Sequence, residues 1–166
     1  MGLDEKDLAI LQVIQANSKL SMKEVAIRLN MPVTTVHSKV RRLEEEGIIK
    51  SYRAVLDDRK LQLGATAFIQ ATFSYRLAGE ATVLSQRNVA REVARFDEVQ
   101  EVHVVSGDWD LLIKIKAKDV DAIGRFVVDK LRTVKGIEKT VTCMVFDTAK
   151  ETTEIPIQIP THTRET

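Results

Sequence analysis

MPVTTVHSKVRRLEEEGII, Met31 to Ile49, is the stretch whose reading decides the fold. Val33, Val36, Val40 and Leu43 recur at helical spacing and fall within one arc at about 100° per residue, which assigns them to a core. Thr34, Ser38, Arg41 and Arg42 fall on the opposite side. Pro32 suits a helix start, where its fixed φ fits and its missing amide hydrogen is not needed. Gly47 supplies a residue that can turn left-handed and stop the helix.

Upstream, Leu8, Leu11 and Ile14, backed by Ile10 and Val13, predict a helix from about Asp4 to Ala16. Ser21 followed by Glu24 spells a capping box, in which a hydroxyl and a carboxylate satisfy orphan amides reciprocally, so a second helix starts there and runs to about Leu29. Asn30 then stands where a tight helix-to-helix turn needs a residue tolerant of left-handed backbone. Downstream, IIKSYRAVL predicts a short hairpin or strand, and DDRK a linker. Three short helices, the last two joined by a tight turn and followed by a hairpin, make a winged helix-turn-helix.

That geometry explains the composition of the quoted helix. Entry into a major groove needs short polar side chains early and cations beside them for phosphates. Thr34, Thr35 and Ser38 supply the first; Lys39, Arg41 and Arg42, with Lys50 and Arg53 in the wing, supply the second. The alternative is a merely solvated helix face. Glu45, projecting near the side of Thr34, would repel phosphate, unless the helix leaves the groove after Arg42 and Glu44 to Glu46 solvate its far end and pair with bases four residues away.

From about Ala65 the texture changes to β-branched alternation in ATAFIQATFSY, helical spacing from about Ser85 to Phe96, two strands around a turn in VQEVHVVSGDWDLLIKIKA, a helix from about Val120 to Leu131, and a last strand in VKGIEKTVTCMVF. The order β-α-β-β-α-β is the split arrangement of ferredoxin-like domains. The fold class is therefore α+β: a winged helix-turn-helix over residues 1–56, a linker over 57–64, a ferredoxin-like domain over 65–155 and a tail over 156–166. RLAGEATVL, between the first strand and helix of the second domain, fits no element clearly. The tail segment KETTEIPIQIPTHTRET is expected to add an edge strand, limited by Pro156 and Pro160.

A net charge of +1 gives no global argument for nucleic acid, so any basic patch must be local. The single cysteine, Cys143, excludes an intrachain disulfide and leaves no cysteine pair for zinc. No leader pattern opens the chain and no run of about 18 apolar residues interrupts it, so the expectation is a cytoplasmic protein without membrane or cofactor partners. A second candidate site is SGDWD, Ser106 to Asp110. It is hairpin chemistry, but Trp109 beside two carboxylates could also wall a small-molecule pocket. Thr140 and Thr142, two apart on the last strand, place hydroxyls on one face, where a carboxylate could bind.

Together these motifs resemble the Lrp/AsnC, or feast/famine, family of transcriptional regulators. The resemblance covers about residues 3–155 and rests on LDEKDLAIL, VRRLEEEGIIKSYRAVLD, VVSGDWDLLIKI and GIEKTVTCMVF. It implies an amino-terminal domain binding double-stranded DNA and a carboxy-terminal domain that forms a homodimer, with dimers assembling into an octamer or similar ring. It also implies an amino acid effector near the Gly-Asp turn. By position, Gly107, Asp108, Trp109 and Asp110 become effector residues, with Thr140 and Thr142 beneath and His103 as a further candidate. Met31 departs from the family's preference for Ser before the Pro, which removes a side-chain cap worth about 1 kcal/mol.

The leading expectation is a sequence-specific regulator modulated by a small effector. The alternatives are an amino-acid sensor or scaffold without DNA binding, and an enzyme using Asp108, Asp110 and His103. The third helix argues against the former, and the scatter of His37, His103 and His162 along the chain argues against a catalytic or metal-binding cluster.

Overall fold

The computed structural model describes residues 2–75 and 84–159. Nearly all of RLAGEATVL, together with His162, lies outside them. The chain divides into two compact units: one joins residues up to Val55 with the chain from Lys150 onward, and the other is Leu56–Ala149.

In the first unit, α1 (Glu5–Ala16) starts at Asp4. The Asp4 carboxylate accepts the Asp7 amide at 2.8 Å and Asp7 accepts the Asp4 amide at 2.9 Å. Ser21 and Glu24 repeat this reciprocal cap at the head of α2 (Met22–Arg28). Asn30 takes the left-handed conformation at φ 48°, and the Met31 amide closes the turn onto the Ala26 carbonyl at 2.9 Å. The third helix, α3, spans Val33–Glu45. Gly47, at φ 70°, stops it and lets the Ile48 and Ile49 amides reach the Leu43 carbonyl.

Ile10, Ile14, Val25, Ala26, Val36, Val40 and Leu43 form the core of this unit, and Met31 packs against it. Pro32, expected inside the first turn with Met31 at the cap, is itself the N-cap of α3 and offers no side-chain acceptor, and Met31 before it contributes apolar contact. Val33 departs from the expected core face: it is 45% exposed, because the first helical position projects ahead of the turn that Val36 buries.

Three boundary expectations change. Residues 50–56 at the wing form no strand. Ile48 to Leu56 contains no Gly, Asn, Asp or Pro to reverse the chain, and a hairpin needs such a turn. The stretch is held instead by Tyr52, whose hydroxyl donates to Glu44 Oε1 at 2.7 Å.

The expected linker 57–64 is not free chain. Leu61 and Leu63 amides turn back onto the Asp57 and Asp58 carbonyls, and Lys116 pairs with Asp58 at 2.7 Å. The tail adds no edge strand over its described residues but joins the first unit through Gln12 and Gln15 of α1, whose side-chain amides satisfy its backbone.

The second unit runs β1 (Ala65–Phe73), α4 (Gln86–Val93), β2 (Val99–Val104), β3 (Leu111–Ala117), α5 (Val120–Arg125) and β4 (Ile137–Met144). The strand order β2-β3-β1-β4, antiparallel throughout, gives the ferredoxin-like βαββαβ topology. Alternate residues of the two central strands, Ala67, Ile69, Ala71 and Phe73 with Leu111, Ile113 and Ile115, are buried against Val89 and Val93 of α4 and Ile123 of α5. After α5 the chain widens into a π turn over Phe126–Lys130 and tightens at Leu131–Thr133. This phasing buries the adjacent Phe126 and Val127 together, as well as Leu131.

Gly136 leads into β4 at φ 97°, and a Cβ there would stand 2.6 Å from the Phe73 ring. Gly136→Ala combines a disfavoured backbone with overpacking and should lower stability by about 2 kcal/mol or more. Denaturant unfolding of the full chain measures this; an unchanged midpoint would show that Phe73 moves aside freely.

Candidate DNA-binding face and ligand-binding turn

The cations of α3 do not share one environment. Asp7 is fully buried, and its carboxylate accepts Lys39 Nζ at 2.9 Å and Arg42 Nη2 at 2.6 Å. Lys39 also pairs with Asp4 at 2.6 Å. Burial is the largest single influence on the Lys39 ammonium and lowers its pKa, but hydrogen bonds to Asp4 and Asp7 hold it above its usual value. The hydrogen bond to Asp7 likewise raises Arg42. These two side chains, expected beside phosphates, are tied to the head of α1. Sequence periodicity puts Arg42 opposite the core, but a long side chain can fold back to a partner.

The outward face of α3 carries Thr34, His37, Ser38 and Arg41, all exposed. Arg41 pairs with the exposed Glu45, at 2.8 Å; such pairs contribute little and exchange partners readily. Thr35 is half-buried, and its carbonyl accepts the Ser38 hydroxyl at 3.0 Å. No side chain caps the α3 amino terminus, which leaves its first amides open at the positive end of the helix. Lys50 and Arg53 are exposed beyond α3. Partial burial, then the Glu44 carboxylate, push the Tyr52 phenol up to about 12, so it remains a donor at neutral pH.

SGDWD joins β2 to β3, and Gly107 at φ 111° makes the bend. The two carboxylates of this turn have different surroundings. Asp110 is committed to the fold: Oδ2 accepts the Phe73 amide at 2.8 Å and Oδ1 accepts Gln86 Nε2 at 3.0 Å. Asp108 is exposed. Trp109 is half-buried, and the Lys139 ammonium lies 5.2 Å from its ring centroid, within cation–π range.

Thr140 and Thr142 pair across the sheet with Ala71 and Ile69, residues of the helix-facing core, so their hydroxyls lie on the helix side of β4. The polar group brought to Trp109 is Lys139, which sequence reasoning missed; its position beside Thr140 in KTVT was the only signal. His103 pairs with Glu101 at 3.1 Å, and Lys114 reaches the same carboxylate at 3.4 Å.

Among the described residues, no cluster of His, Cys, Asp and Glu could hold a metal, and no helix is long and apolar enough to cross a membrane.

A helix-turn-helix unit followed by a ferredoxin-like sheet defines a class of two-domain DNA-binding regulators with a ligand-binding domain. Residues 3–50 match the winged helix-turn-helix DNA-binding family, and residues 66–155 match the Lrp/AsnC ligand binding domain. An HTH-type transcriptional regulator of Pyrococcus abyssi is 40% identical over 149 residues, covering 90% of this chain and 96% of the relative. The regulator FL11 of Pyrococcus horikoshii is 33% identical over 156 residues, covering 94% and 97%.

Among solved structures, a Neisseria meningitidis transcriptional regulator superposes with a TM-score of 0.84 at 28% identity, covering 93% of this chain and 97% of that one. Escherichia coli AsnC superposes with a TM-score of 0.81 at 22% identity, covering 94% and 100%, which extends the likeness of fold. The chain belongs to the Lrp/AsnC family of transcriptional regulators.

Asp7→Ala leaves two cations facing an emptied buried site and should destabilise the protein by about 2 kcal/mol or more, less than for a fully buried triad because Lys39 and Arg42 keep some solvent. The Asp4 carboxyl, lowered chiefly by the Lys39 hydrogen bond, sits at about 2 against its usual 3.8. A depressed folded pKa contributes stability that is present above the unfolded value and lost as pH falls through the folded one. The stability advantage of the native chain over Lys39→Met should therefore be complete above about pH 4 and shrink toward about pH 2. Urea melts across that range check it, and an advantage independent of pH would detach Asp4 from Lys39.

Proposed function

We propose that α3 reads duplex DNA through the stripe Thr34, His37, Ser38 and Arg41, that Lys50 and Arg53 contact flanking phosphates, and that the effector is a free amino acid. The observation that carries the DNA reading is the sorting of α3: its exposed stripe holds short polar groups and one loosely paired cation, while Lys39 and Arg42 are held inside by Asp7. Short polar groups suit base edges, and the uncapped helix terminus suits a phosphate. His37 joins Thr34 and Ser38, two of the short polar residues that the sequence assigns to base edges. Thr35, half-buried, and Lys39 and Arg42, paired to Asp7, act in this reading as supports.

For the effector, the exposed Asp108 is complementary to an α-ammonium and Lys139 to a carboxylate, with Trp109 as the wall between. The bend at Gly107 presents backbone beside them. The Neisseria meningitidis regulator is described as an L-Met complex, which supports an amino acid as the ligand class. Asp110, Thr140 and Thr142 shape the site in this reading rather than bind. The protein works as a homodimer or a larger ring in the cytoplasm, regulates transcription and carries no catalytic group.

DNA binding should weaken steeply as salt rises, with a log-log slope of about −0.9 per phosphate contacted. Arg41→Ala should lower affinity and flatten that slope by about one contact if Arg41 meets phosphate, whereas an unchanged slope with relaxed sequence preference would make it a base reader. Titration of fluorescent duplexes at several salt concentrations separates these, and salt-independent binding would sink the electrostatic footprint.

In a thermal-shift screen of the twenty amino acids, a ligand at 100 times its Kd adds about 2.7 kcal/mol. Asp108→Ala should abolish that gain while leaving the ligand-free fold intact. Retention of the gain would move the pocket elsewhere.

A further inference from the structure

The segment beyond β4 is seated on α1 by side chains that imitate a neighbouring strand. Gln15 Oε1 accepts the Ile155 amide at 3.1 Å, and Gln15 Nε2 donates to the Ile155 carbonyl at 2.9 Å. Gln12 Nε2 donates to the Ile157 carbonyl at 2.8 Å. A primary amide carries the donor and acceptor of a peptide group, so Gln15 pairs with Ile155 as a strand residue would.

The spacings match. Gln12 and Gln15 are three apart and share one helix face, while Ile155 and Ile157 are alternate residues whose carbonyls point the same way in an extended chain. Pro156, between them, presents no amide needing a partner and restricts Ile155 to extended backbone, so the segment is shaped before it docks. Ile157 and Ile159 are half-buried, whereas Ile155 and Gln158 are exposed.

We propose that residues 154–159 are a strap built into the first unit, that the Gln12–Gln15 edge of α1 is its receptor, and that the docked strap supports α1. The chain leaves the first unit at Val55 and returns at Lys150, so the second unit is connected at both of its ends. Because α1 carries the Asp7 that holds Lys39 and Arg42, docking or release of the strap acts on α3 through packed, charge-paired groups. The effect on DNA rests on the proposed reading of α3; the docking does not.

Two full-length variants test it: Gln12→Ala with Gln15→Ala, which removes the receptor, and Ile155→Pro, which removes the bonded amide and leaves α1 untouched. In the native chain the Ile155 amide should exchange with deuterium at least about tenfold more slowly than in the free tail peptide, and the double variant should abolish the difference. In both variants the tail should become protease-sensitive, α1 amides should exchange faster, and affinity for a mixed-sequence duplex at low salt should fall about fivefold.

An Ile155 amide that exchanges at the free-peptide rate in the native chain overturns the strap. A freed tail with unchanged α1 exchange and duplex affinity overturns the tie to α3. A native chain that protects Ile155 yet binds no duplex refutes the DNA-binding reading and leaves the strap in place.

Discussion

The orientation of α3 depends on one buried carboxylate. Asp7 caps the head of α1 and accepts hydrogen bonds from two residues of α3, so the capping of one helix and the placement of another are the same interaction. Burying a carboxylate is unfavourable by several kcal/mol unless its lone pairs are met. Here the Asp4 amide, Lys39 and Arg42 meet them, and Asp4 shares the Lys39 ammonium. Apolar contact alone would allow α3 to rotate or slide on α1. Short charged hydrogen bonds at two successive turns do not, which fixes the face that α3 turns outward.

That commitment alters how a nearly neutral chain meets a polyanion. A net charge of +1 offers no general attraction, and two of the three adjacent helix cations are internally neutralised. What remains on the outward side of α3 is Arg41 among hydroxyls and an imidazole. If this face reads DNA as proposed, Arg41 with Lys50 and Arg53 carries the phosphate contacts, so the basic footprint is local rather than spread over the chain. In that reading each copy brings few phosphate contacts, which limits its affinity on its own. Two copies on a repeated site recover affinity through effective concentration, which favours the dimeric reading proposed above.

The sequence made legible whatever is encoded between near neighbours. Ser21 and Glu24, Asn30, Gly47 and the apolar spacing of α1 and α3 all have their physical partners within a turn or two, so the tri-helical unit and the βαββαβ order follow from local rules. The fate of long side chains was not legible. Lys39 and Arg42 find Asp7 more than thirty residues away, and helical periodicity does not register that fold-back. Alternation puts the Thr140 and Thr142 hydroxyls on one face and the family resemblance implies a place beneath the turn, but only the pairing with Ala71 and Ile69 says which face. The tail read as a strand because its alternation is strand-like; its partner is a pair of glutamine side chains, which no backbone pattern announces.

The turn between β2 and β3 repeats the logic of Asp7. Asp108 and Asp110 have the same chemistry and nearly the same address, and the number of donors around them separates their roles. The β1–β3 pairing ends at Ala71 and Leu111, while the register of β1 on β4 shifts between Ala71 and Phe73, leaving the Phe73 amide in need of an acceptor. Asp110 supplies it and is held further by Gln86, so its charge is consumed in ending the strand. Asp108, past the Gly107 bend, stands exposed, and its charge is available to something outside the fold. In the reading proposed above, hairpin chemistry and ligand chemistry are successive uses of one turn: Asp110 ties it to β1 and Gln86, and the Asp108 carboxylate and the Trp109–Lys139 stack on that held turn would meet a small zwitterion.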